Sequence, residues 1–432
     1  MQLRNRLKHL ASAFALALAL GPVGAMAQTI EIRIMWYSDG NEGDVMRDLL
    51  DRFEKQNPDL KATLDRVPYK TIVEQLPSLL DSGQGPDIAR VTDLGGLARH
   101  YLDMRPLLKD AKYFDQNFAS TLPWFRPASG AKDGVYGIMT QLALTIPMVN
   151  VTLFQQAGVA WPGPNATWDD WAKAAREVAK KVNAPYPIAM DRSGHRVSGP
   201  AISMGAKFLN GDKPALVDDG FKKAMEMIVG WHQDGTMSKA LWGSVGGTTY
   251  RGANDEFANG QVVLYMSGTW QFPLFAKTIG KSFEWQAVPN PCGPATCTGM
   301  PGGAGLVPIK ASKNPQAVAR LMEWFASEPV YEEYHARTLF LPAHLGLAKK
   351  GIAYKTDDPN VKKSLEVAVA QVGKTSPTAF ALQGYEHNRI LFNATISRIN
   401  QAINGEMSVA DALNRMQADV VEGFAAKGIK LQ

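Results

Sequence analysis

The chain has 432 residues, of which 46 are lysine or arginine, 41 are aspartate or glutamate, and 45% are hydrophobic. This length exceeds what one hydrophobic core usually organises, so two domains are expected. The near balance of charge excludes the strongly basic surface of a nucleic-acid-binding protein, and any basic patch must be local.

The first 27 residues have the composition of a secretory signal peptide. The basic stretch "MQLRNRLKHL" precedes the apolar stretch "ASAFALALALGPVG", and Ala25 and Ala27 form the small-x-small pattern of a signal-peptidase site. Cleavage after Ala27 removes three basic residues and leaves 405 residues with 43 basic and 41 acidic side chains. No later stretch approaches the roughly 18 apolar residues of a spanning helix, and no cysteine lies near the cleavage site. We therefore expect an exported protein with neither membrane insertion nor a lipid anchor.

Strands and helices alternate along the mature sequence. The pattern predicts a strand at "TIEIRIMW", a helix capped by Asn41, a strand at "KATLDRV", a helix at "YKTIVEQLPSLLDSG" and a strand at "PDIARV". Thr167 and Asp170 form a capping box before "WAKAAREVAKK", "QVVLYM" reads as a buried strand, and Ser408 and Asp411 cap the last of several C-terminal helices. This order favours a parallel α/β sheet, with ligands beyond the carboxyl ends of its strands.

The two cysteines, Cys292 and Cys297, flank a Gly-Pro turn in "PNPCGPATCTG". In an oxidising compartment this spacing predicts a local disulfide. A metal site is the alternative, but two thiols alone do not complete the tetrahedral shell of zinc.

Motifs that would indicate catalysis or a cofactor are not found in the sequence. There is no G-x-S-x-G elbow, no G-x-G-x-x-G or Walker A loop, and no histidine pair at metal-ligand spacing. We therefore expect no enzyme, cofactor or metal. A glycosidase activity stays an open alternative, because its pair of carboxylates is defined by spatial arrangement and not by a sequence motif.

Aromatic residues next to polar, glycine-rich loops are the main candidates for binding. Sugars present apolar C–H faces and a belt of hydroxyls, so their sites combine flat rings with polar groups. The candidates are Trp36, Tyr37, Ser38 and Asp39 after the first strand, Trp242 and Arg251 in "GTMSKALWGSVGGTTYRG", Ser267 and Trp270 in "SGTW", and Gly302 and Gly303 in "GMPGGAG". The alternative for each tryptophan is a place in the core, as expected for Trp168, Trp171 and Trp324 on predicted helices.

Several segments carry a family resemblance. "FANGQVVLYMSGTW" resembles a signature segment of family-1 extracellular solute-binding proteins, the sugar receptors of ABC importers. "SGQGPDIARV" and "TWDDWAKAA" are similar to two further motifs of that family, and "GVYGIMTQLALTIPMVNVTLFQQAGV" resembles its first crossing between lobes. The resemblance covers nearly the whole mature chain.

The resemblance implies an α/β, two-lobe periplasmic binding protein (flytrap) fold with hinge crossings and a helical C-terminal segment. We expect crossings near residues 140, 304 and 344. This division assigns 28–140 and 304–344 to an N-terminal lobe, and 141–303 and 345–432 to a C-terminal lobe. The resemblance also implies a monomer that delivers its ligand to the inner-membrane permease subunits of an ABC importer.

Within the family, "DIARVTDLGGLARHYLD", "AMDRSGHR", "GPAISMGAKF" and "VPNPCGPATC" resemble receptors assigned to digalacturonate. A buried ligand carboxylate needs a partner, and arginine binds it bidentately. The loop "AMDRSGHRVSGP" is therefore expected to act as an anion clamp rather than as a solvated surface. The predicted ligand-binding residues here are Arg192, His195 and Arg196, with Arg90, Thr92, Asp93, Gln141 and Arg251 elsewhere.

Other functions remain open at this level. The ligand could be a neutral oligosaccharide or of the glycerol-phosphate type, and a different class of protein, an exported enzyme acting on pectin fragments, is a further alternative.

Overall fold

The computed structural model describes residues 29–210, 213–215 and 217–431, so the expected signal peptide lies outside the described residues. Within them, the strands are β1 Ile30–Trp36, β2 Leu60–Arg66, β3 Ile88–Val91, β4 Ile138–Asn150, β5 Tyr186–Met190, β6 Phe208–Asn210, β7 Lys213–Ala215, β8 Val262–Gly268, β9 Trp285–Ala287 and β10 Pro301–Pro308.

The helices of the same residues are α1 Glu42–Gln56, α2 Tyr69–Glu74, α3 Leu76–Asp81, α4 Ala111–Asn117, α5 Val151–Ala157, α6 Trp168–Val182, α7 Gly194–Ser203, α8 Asp219–Gln233, α9 Lys239–Gly243, α10 Asn254–Ala258, α11 Phe272–Thr278, α12 Pro315–Ala326, α13 Glu328–Thr338, α14 Leu345–Lys350, α15 Pro359–Val372, α16 Pro377–Gly384, α17 Asn388–Ile403 and α18 Val409–Ala425. None of these helices is both long and apolar enough to cross a membrane.

One mixed sheet runs through the molecule in the order β2–β1–β3–β10–β4–β8–β5, with β9 paired to β4 and with β6 and β7 forming a separate hairpin. β1 pairs in parallel with β2 and β3, and β5 pairs in parallel with β8, as the alternation of strands and helices predicts. β4 and β10 run antiparallel to their neighbours, so the sheet as a whole is mixed. β4 is long enough to pair with β10 up to Leu144 and with β8 from Thr145 onward.

Buried apolar side chains divide the molecule into two bodies, called here the first and second lobes. The first lobe contains β1–β3, α1–α4 and α12–α14, and the second contains β5–β9, α5–α11 and α15–α18, with β4 and β10 passing between them. The chain crosses a third time between α14 and α15. α14 is placed with the first lobe because Leu347 packs in the core of that lobe. The crossing expected near residue 344 stays a prediction.

Two of the three predicted helix caps form as expected. The Thr167 side chain accepts the backbone N–H of Asp170 and the Asp170 carboxylate accepts that of Thr167, while Ser408 caps α18 through the N–H of Asp411. Asn41 precedes α1, but its side chain makes no cap hydrogen bond, and its amide nitrogen donates to a carbonyl of α13. The single helix predicted at "YKTIVEQLPSLLDSG" is two helices, α2 and α3.

The segment "AMDRSGHRVSGP" differs most from its prediction. It is not a loop, because α7 begins at Gly194 and places His195 and Arg196 in its first turn. Pro200 lies inside this helix, and proline normally interrupts helices because it lacks an N–H group. The helix therefore has a sequence that is typical of a turn.

Cys292 and Cys297 form the predicted disulfide. The turn that it closes packs on the end of α7, where a Cβ on Gly293 would come within 2.3 Å of the Ser203 carbonyl oxygen. The Ala295 N–H donates to the same oxygen at 2.9 Å. The disulfide thus holds the segment that supports α7 from its C-terminal end.

Candidate functional site

A cleft between the lobes is bordered by close contacts from one lobe to the other. A Cβ on Gly40, in the loop after β1, would lie 3.3 Å from Cβ of Pro273 in α11. A Cβ on Gly95, after β3, would lie 2.8 Å from Cα of Glu386, just before α17. These contacts enclose the loops at the carboxyl ends of the strands, and this cleft is the candidate site.

Asp39 follows β1 on the first-lobe wall of the cleft. Its side chain is 30% exposed, and Arg90, the cation of its own lobe, lies 3.7 Å from its carboxylate. Burial raises the pKa of Asp39 from 3.8 to about 6, with Glu42 raising it further and with Arg90 and Arg196 opposing the shift. Because Arg196 belongs to the second lobe, charged groups of the two lobes face each other across the cleft.

Arg90 is held by a set of buried hydrogen bonds. It is fully buried, and its guanidinium donates to the Tyr37 carbonyl at 2.7 Å, to the Glu42 carboxylate at 3.0 Å and to Gln141 Oε1 at 2.7 Å. The guanidinium also lies 4.1 Å from the centroid of the Tyr37 ring. Arg90 is therefore paired with Glu42 inside its own lobe, and the expectation that it contacts a ligand stays a prediction. The Gln141 amide nitrogen, in contrast, is buried without a partner among the described residues.

Thr92 and Asp93 follow β3 and contact an arginine that sequence reasoning missed. Arg389, in the first turn of α17, donates to Thr92 Oγ1 at 3.0 Å, and the Tyr69 hydroxyl lies 2.9 Å from the same oxygen. Asp93 and Tyr69 lie close enough to favour the charge of Arg389. Because α17 belongs to the second lobe, the hydrogen bond between Arg389 and Thr92 joins the two lobes.

A buried carboxylate at the end of β5, Asp191, organises the second-lobe wall. It accepts hydrogen bonds from the hydroxyls of Ser267 at 2.7 Å, Tyr250 at 3.1 Å and Tyr265, and from the backbone N–H of Ala253 at 3.2 Å. The Ser267 hydroxyl thus points into its own lobe, whereas the Tyr250 side chain remains 44% exposed. Asp191 was missed by sequence reasoning because one aspartate after a strand forms no motif.

Arg196 is the central cation of this wall. Its guanidinium carbon lies 4.0 Å from the centroid of the Trp270 ring, and its Nε is 3.4 Å from the Asp191 carboxylate. Its Nη1 is 3.0 Å from His195 Nδ1, while His195 Nε2 is 3.0 Å from the Pro301 carbonyl oxygen. A proton on Nε2 satisfies both contacts. Burial, followed by the charge of Arg196, lowers the pKa of His195 to about 3, so His195 is neutral and orients Arg196.

Arg192, only four residues earlier, is directed elsewhere. It is fully buried, and its guanidinium donates to the carbonyl oxygens of Gly247 at 2.8 Å and of Thr249, and to the Asn400 side chain at 3.3 Å. These contacts hold the loop before Tyr250 against α17. Arg192 therefore has a structural role, and the expectation that it binds a ligand stays a prediction.

Four other sequence candidates also lie outside the centre of the cleft. Trp36 and Trp242 are buried in the cores of the first and second lobes, and Trp242 Nε1 donates to a backbone carbonyl of β5. Arg251 forms an ion pair with Glu256. Ser38 is exposed in the loop after β1.

Gly302 and Gly303 serve close packing of the backbone. Gly303 has φ +116°, and a Cβ there would lie 1.8 Å from the Gln141 carbonyl oxygen on the neighbouring strand. A Cβ on Gly302 would lie 3.1 Å from His195 Nε2. The two glycines thus let β10 approach β4 and the His195 ring.

The first turns of α7 and α17 lie side by side. A Cβ on Gly194 would come within 2.3 Å of the Phe392 carbonyl oxygen of α17. Neither helix has an acidic residue in its first turn or a side-chain hydrogen bond at its N-cap, whereas Arg196 and Arg389 lie in these turns. Helix N-termini already favour negative charge, so two of them carrying arginines favour an anionic or strongly accepting group.

The cleft therefore presents planar cations, carboxylates and the aromatic side chains of Tyr69, Tyr250 and Trp270. Across the described ranges, no group of three or more histidine, cysteine, aspartate or glutamate side chains is arranged to hold a metal ion. Among the residues that the sequence analysis missed, Tyr250 could have been selected, because it is an aromatic residue in a glycine-rich loop and adjoins the candidate Arg251. Tyr69 and Arg389 had no such signal.

The contact between Gly40 and Pro273 predicts a wedge variant. Gly40→Leu should hold the loop after β1 away from α11, because a side chain at this position meets Pro273. We expect ligand affinity to fall at least tenfold, with the unfolding temperature little changed. Gly163→Leu is the matched control, since a Cβ at Gly163 meets no atom within 4 Å. Equal affinities of the two variants, measured by calorimetry, would contradict the prediction.

The profile of one protein family, described as bacterial extracellular solute-binding protein, matches residues 48–363. Among characterised proteins, the multiple sugar-binding protein of Streptococcus mutans serotype c is 21% identical over 325 residues, which is 71% of this chain and 73% of that protein.

Solved structures have the same fold. An ABC substrate-binding protein from Listeria monocytogenes in complex with cycloalternan has a TM-score of 0.77 and 18% identity, covering 93% of this chain and 99% of that one. The GacH receptor of Streptomyces glaucescens, determined unliganded and with acarbose, has a TM-score of 0.75 and 16% identity, with the same coverage. At these identities the likeness establishes the two-lobe α/β fold alone.

Proposed function

The chain belongs to the family of bacterial extracellular solute-binding proteins, and on that premise we propose that it is the periplasmic receptor of an ABC importer that binds an oligosaccharide between its two lobes. In this proposal residues 1–27 direct export, the receptor acts as a monomer, and the loaded form docks on the permease subunits. The receptor binds and releases its ligand without turnover.

The observation that carries the proposal is the stack of Arg196 on Trp270, opposite Asp39 of the other lobe. A flat ring, a planar guanidinium and a carboxylate match the apolar faces and hydroxyls of a sugar. A ligand that touches both walls would stabilise the closed arrangement of the lobes. The sugar-binding relative and the neighbours that hold cycloalternan and acarbose support the same ligand class.

We further propose that the oligosaccharide is acidic, with digalacturonate as the first candidate. A carboxylate in a closed cleft must be paired, and Arg196 and Arg389 offer planar donors at two helix N-termini. Asp39 and Asp93 would accept sugar hydroxyls. A neutral oligosaccharide is the second candidate, because each arginine already has a carboxylate nearby, Asp191 for Arg196 and Asp93 for Arg389.

The ligand-contacting set that we propose combines predicted residues with ones found in the cleft. It comprises Asp39, Tyr69, Thr92, Asp93, Gln141, Arg196, Tyr250, Trp270 and Arg389, with His195 positioning Arg196. We leave out Trp36, Arg90, Arg192, Trp242 and Arg251, since their polar groups or rings are engaged within their own lobes.

Calorimetric titration of the mature protein tests the proposal. Digalacturonate is the test ligand, and maltose and lactose are neutral controls. Tight one-to-one binding of the uronide alone is the expected result. Binding of a neutral sugar alone would support the receptor and overturn the acidic ligand, and new reducing ends after incubation would contradict a receptor without turnover.

A further inference from the structure

A small cavity lies beside Arg196 in the second lobe. Its volume is about 10 Å³, which is room for one water-sized group, and it is only partly enclosed. Its polar lining comes from Arg196 of α7, from Thr145 of β4 and Ser267 of β8, and from Asn290 and Thr298 on the two sides of the disulfide turn. Because Arg196 also borders the cleft, a ligand group held against its guanidinium can enter this cavity.

Two of the lining hydroxyls are already engaged, whereas the amide of Asn290 is not. The Ser267 hydroxyl donates to Asp191 at 2.7 Å, and the Thr298 hydroxyl donates to the Gly299 carbonyl at 3.0 Å. Each of these hydroxyls also accepts a hydrogen bond. Asn290 is only 4% exposed, yet its amide nitrogen has no hydrogen-bond partner within the described ranges. A buried donor of this kind is costly unless another group completes it.

Two further donors favour the same kind of occupant. Arg196 uses Nε for Asp191 and Nη1 for His195, and no hydrogen bond among the described residues occupies its Nη2. The Thr145 hydroxyl accepts the N–H of Met300 at 2.7 Å and donates to no other group in the described part of the chain. A carboxylate oxygen only accepts hydrogen bonds, whereas a water or a sugar hydroxyl also has protons to place. The unused donors therefore match a carboxylate oxygen.

We infer that this cavity receives one carboxylate oxygen of the ligand, and that Asn290 sets the preference of the receptor for acidic over neutral oligosaccharides. This inference rests on the proposed function and adds Asn290 to the residues that contact the ligand. The disulfide between Cys292 and Cys297 closes the turn that separates Asn290 from Thr298. The turn is thereby held in one arrangement, so its donors need little ordering when the ligand binds.

Calorimetry of digalacturonate binding to two variants of Asn290 tests the inference. Asn290→Asp keeps the size of the side chain but replaces the donor with a carboxylate, which would pair with Arg196 and repel the ligand. We expect the affinity to fall by about 30-fold or more, with the unfolding temperature little changed. Asn290→Ala removes the donor without adding a charge and should lose about tenfold. Asn165→Asp makes the same change of charge at an exposed position of the same lobe and should bind as the wild type does.

The outcomes separate the inference from the proposed function. Digalacturonate affinities of both Asn290 variants within twofold of the wild type overturn the inference and leave the receptor proposal standing. If the wild type does not bind digalacturonate, the acidic ligand fails, and thermal unfolding in acetate against chloride at equal ionic strength decides the inference. A higher unfolding temperature in acetate for the wild type, but not for the Asn290 variants, supports a carboxylate pocket. Equal shifts in all three proteins, or no shift in the wild type, overturn it.

Discussion

Arg196→Ala is expected to weaken binding of the uronide by about 30- to 5000-fold, which corresponds to about 2–5 kcal/mol for a broken buried charge pair. The side chain is the cation of the second-lobe wall, stacked on Trp270 and oriented by the neutral His195. Its removal would leave the ligand carboxylate with no planar partner on α7. Asp191 keeps its hydroxyl and backbone donors, so the lobe should stay folded.

Two controls make this result specific. Arg196→Lys keeps the charge but loses the planar fork and the stacking on Trp270, so it should recover only part of the affinity. Arg192→Ala should instead lower the unfolding temperature, because Arg192 holds the carbonyls of Gly247 and Thr249. A uronide affinity of Arg196→Ala within twofold of the wild type would contradict the anion clamp.

The contrast between Arg192 and Arg196 illustrates what sequence could not decide. In a loop the two side chains are equivalent candidates, and the segment has the glycine, serine and proline of a turn. The structure makes the segment the start of α7, so the direction of each side chain follows from strand or helix geometry. Arg192 leaves the end of β5 toward α17, whereas Arg196 lies in the first helical turn and faces Trp270.

The parts that were predictable have a local physical origin. Alternating apolar residues predict β1, and the capping box predicts the start of α6. Trp270 could be chosen as a candidate because a strand end reaches the cleft edge whatever the partner strands are. The antiparallel placement of β4 and β10 was not predictable, since strand direction depends on pairings between residues far apart in sequence.

The role of Arg389 could not be predicted from the sequence, for the same reason. It enters the cleft only because α17 packs beside α7, and its contact with Thr92 joins residues 297 positions apart. Arg90 is the opposite case, because the sequence singled out the residue but gave no sign of its buried pair with Glu42. An arginine at the end of a strand, just before a loop, is a reasonable candidate for ligand binding. The structure shows that the guanidinium of Arg90 instead pairs with Glu42.

Arg90→Met is expected to lower the free energy of unfolding of the first lobe by about 3–5 kcal/mol. The substitution leaves the Glu42 carboxylate fully buried without its cation, and it frees the Tyr37 carbonyl and the Gln141 side chain. Denaturant unfolding followed by tryptophan fluorescence measures the loss. Arg33→Met is the matched control, because Arg33 pairs with Asp65 on the surface with 53% of its side chain exposed, and should cost less than about 1 kcal/mol.

A double-mutant cycle with Glu42→Gln separates the structural role of Arg90 from a ligand contact. If the buried pair accounts for the effect, the double variant should be more stable than the sum of the single losses implies, because neither charge is then left alone. Its ligand affinity should recover together with its stability. If Arg90 binds the ligand directly, Glu42→Gln would restore the fold and leave the affinity low, since no change at Glu42 replaces a guanidinium in the cleft.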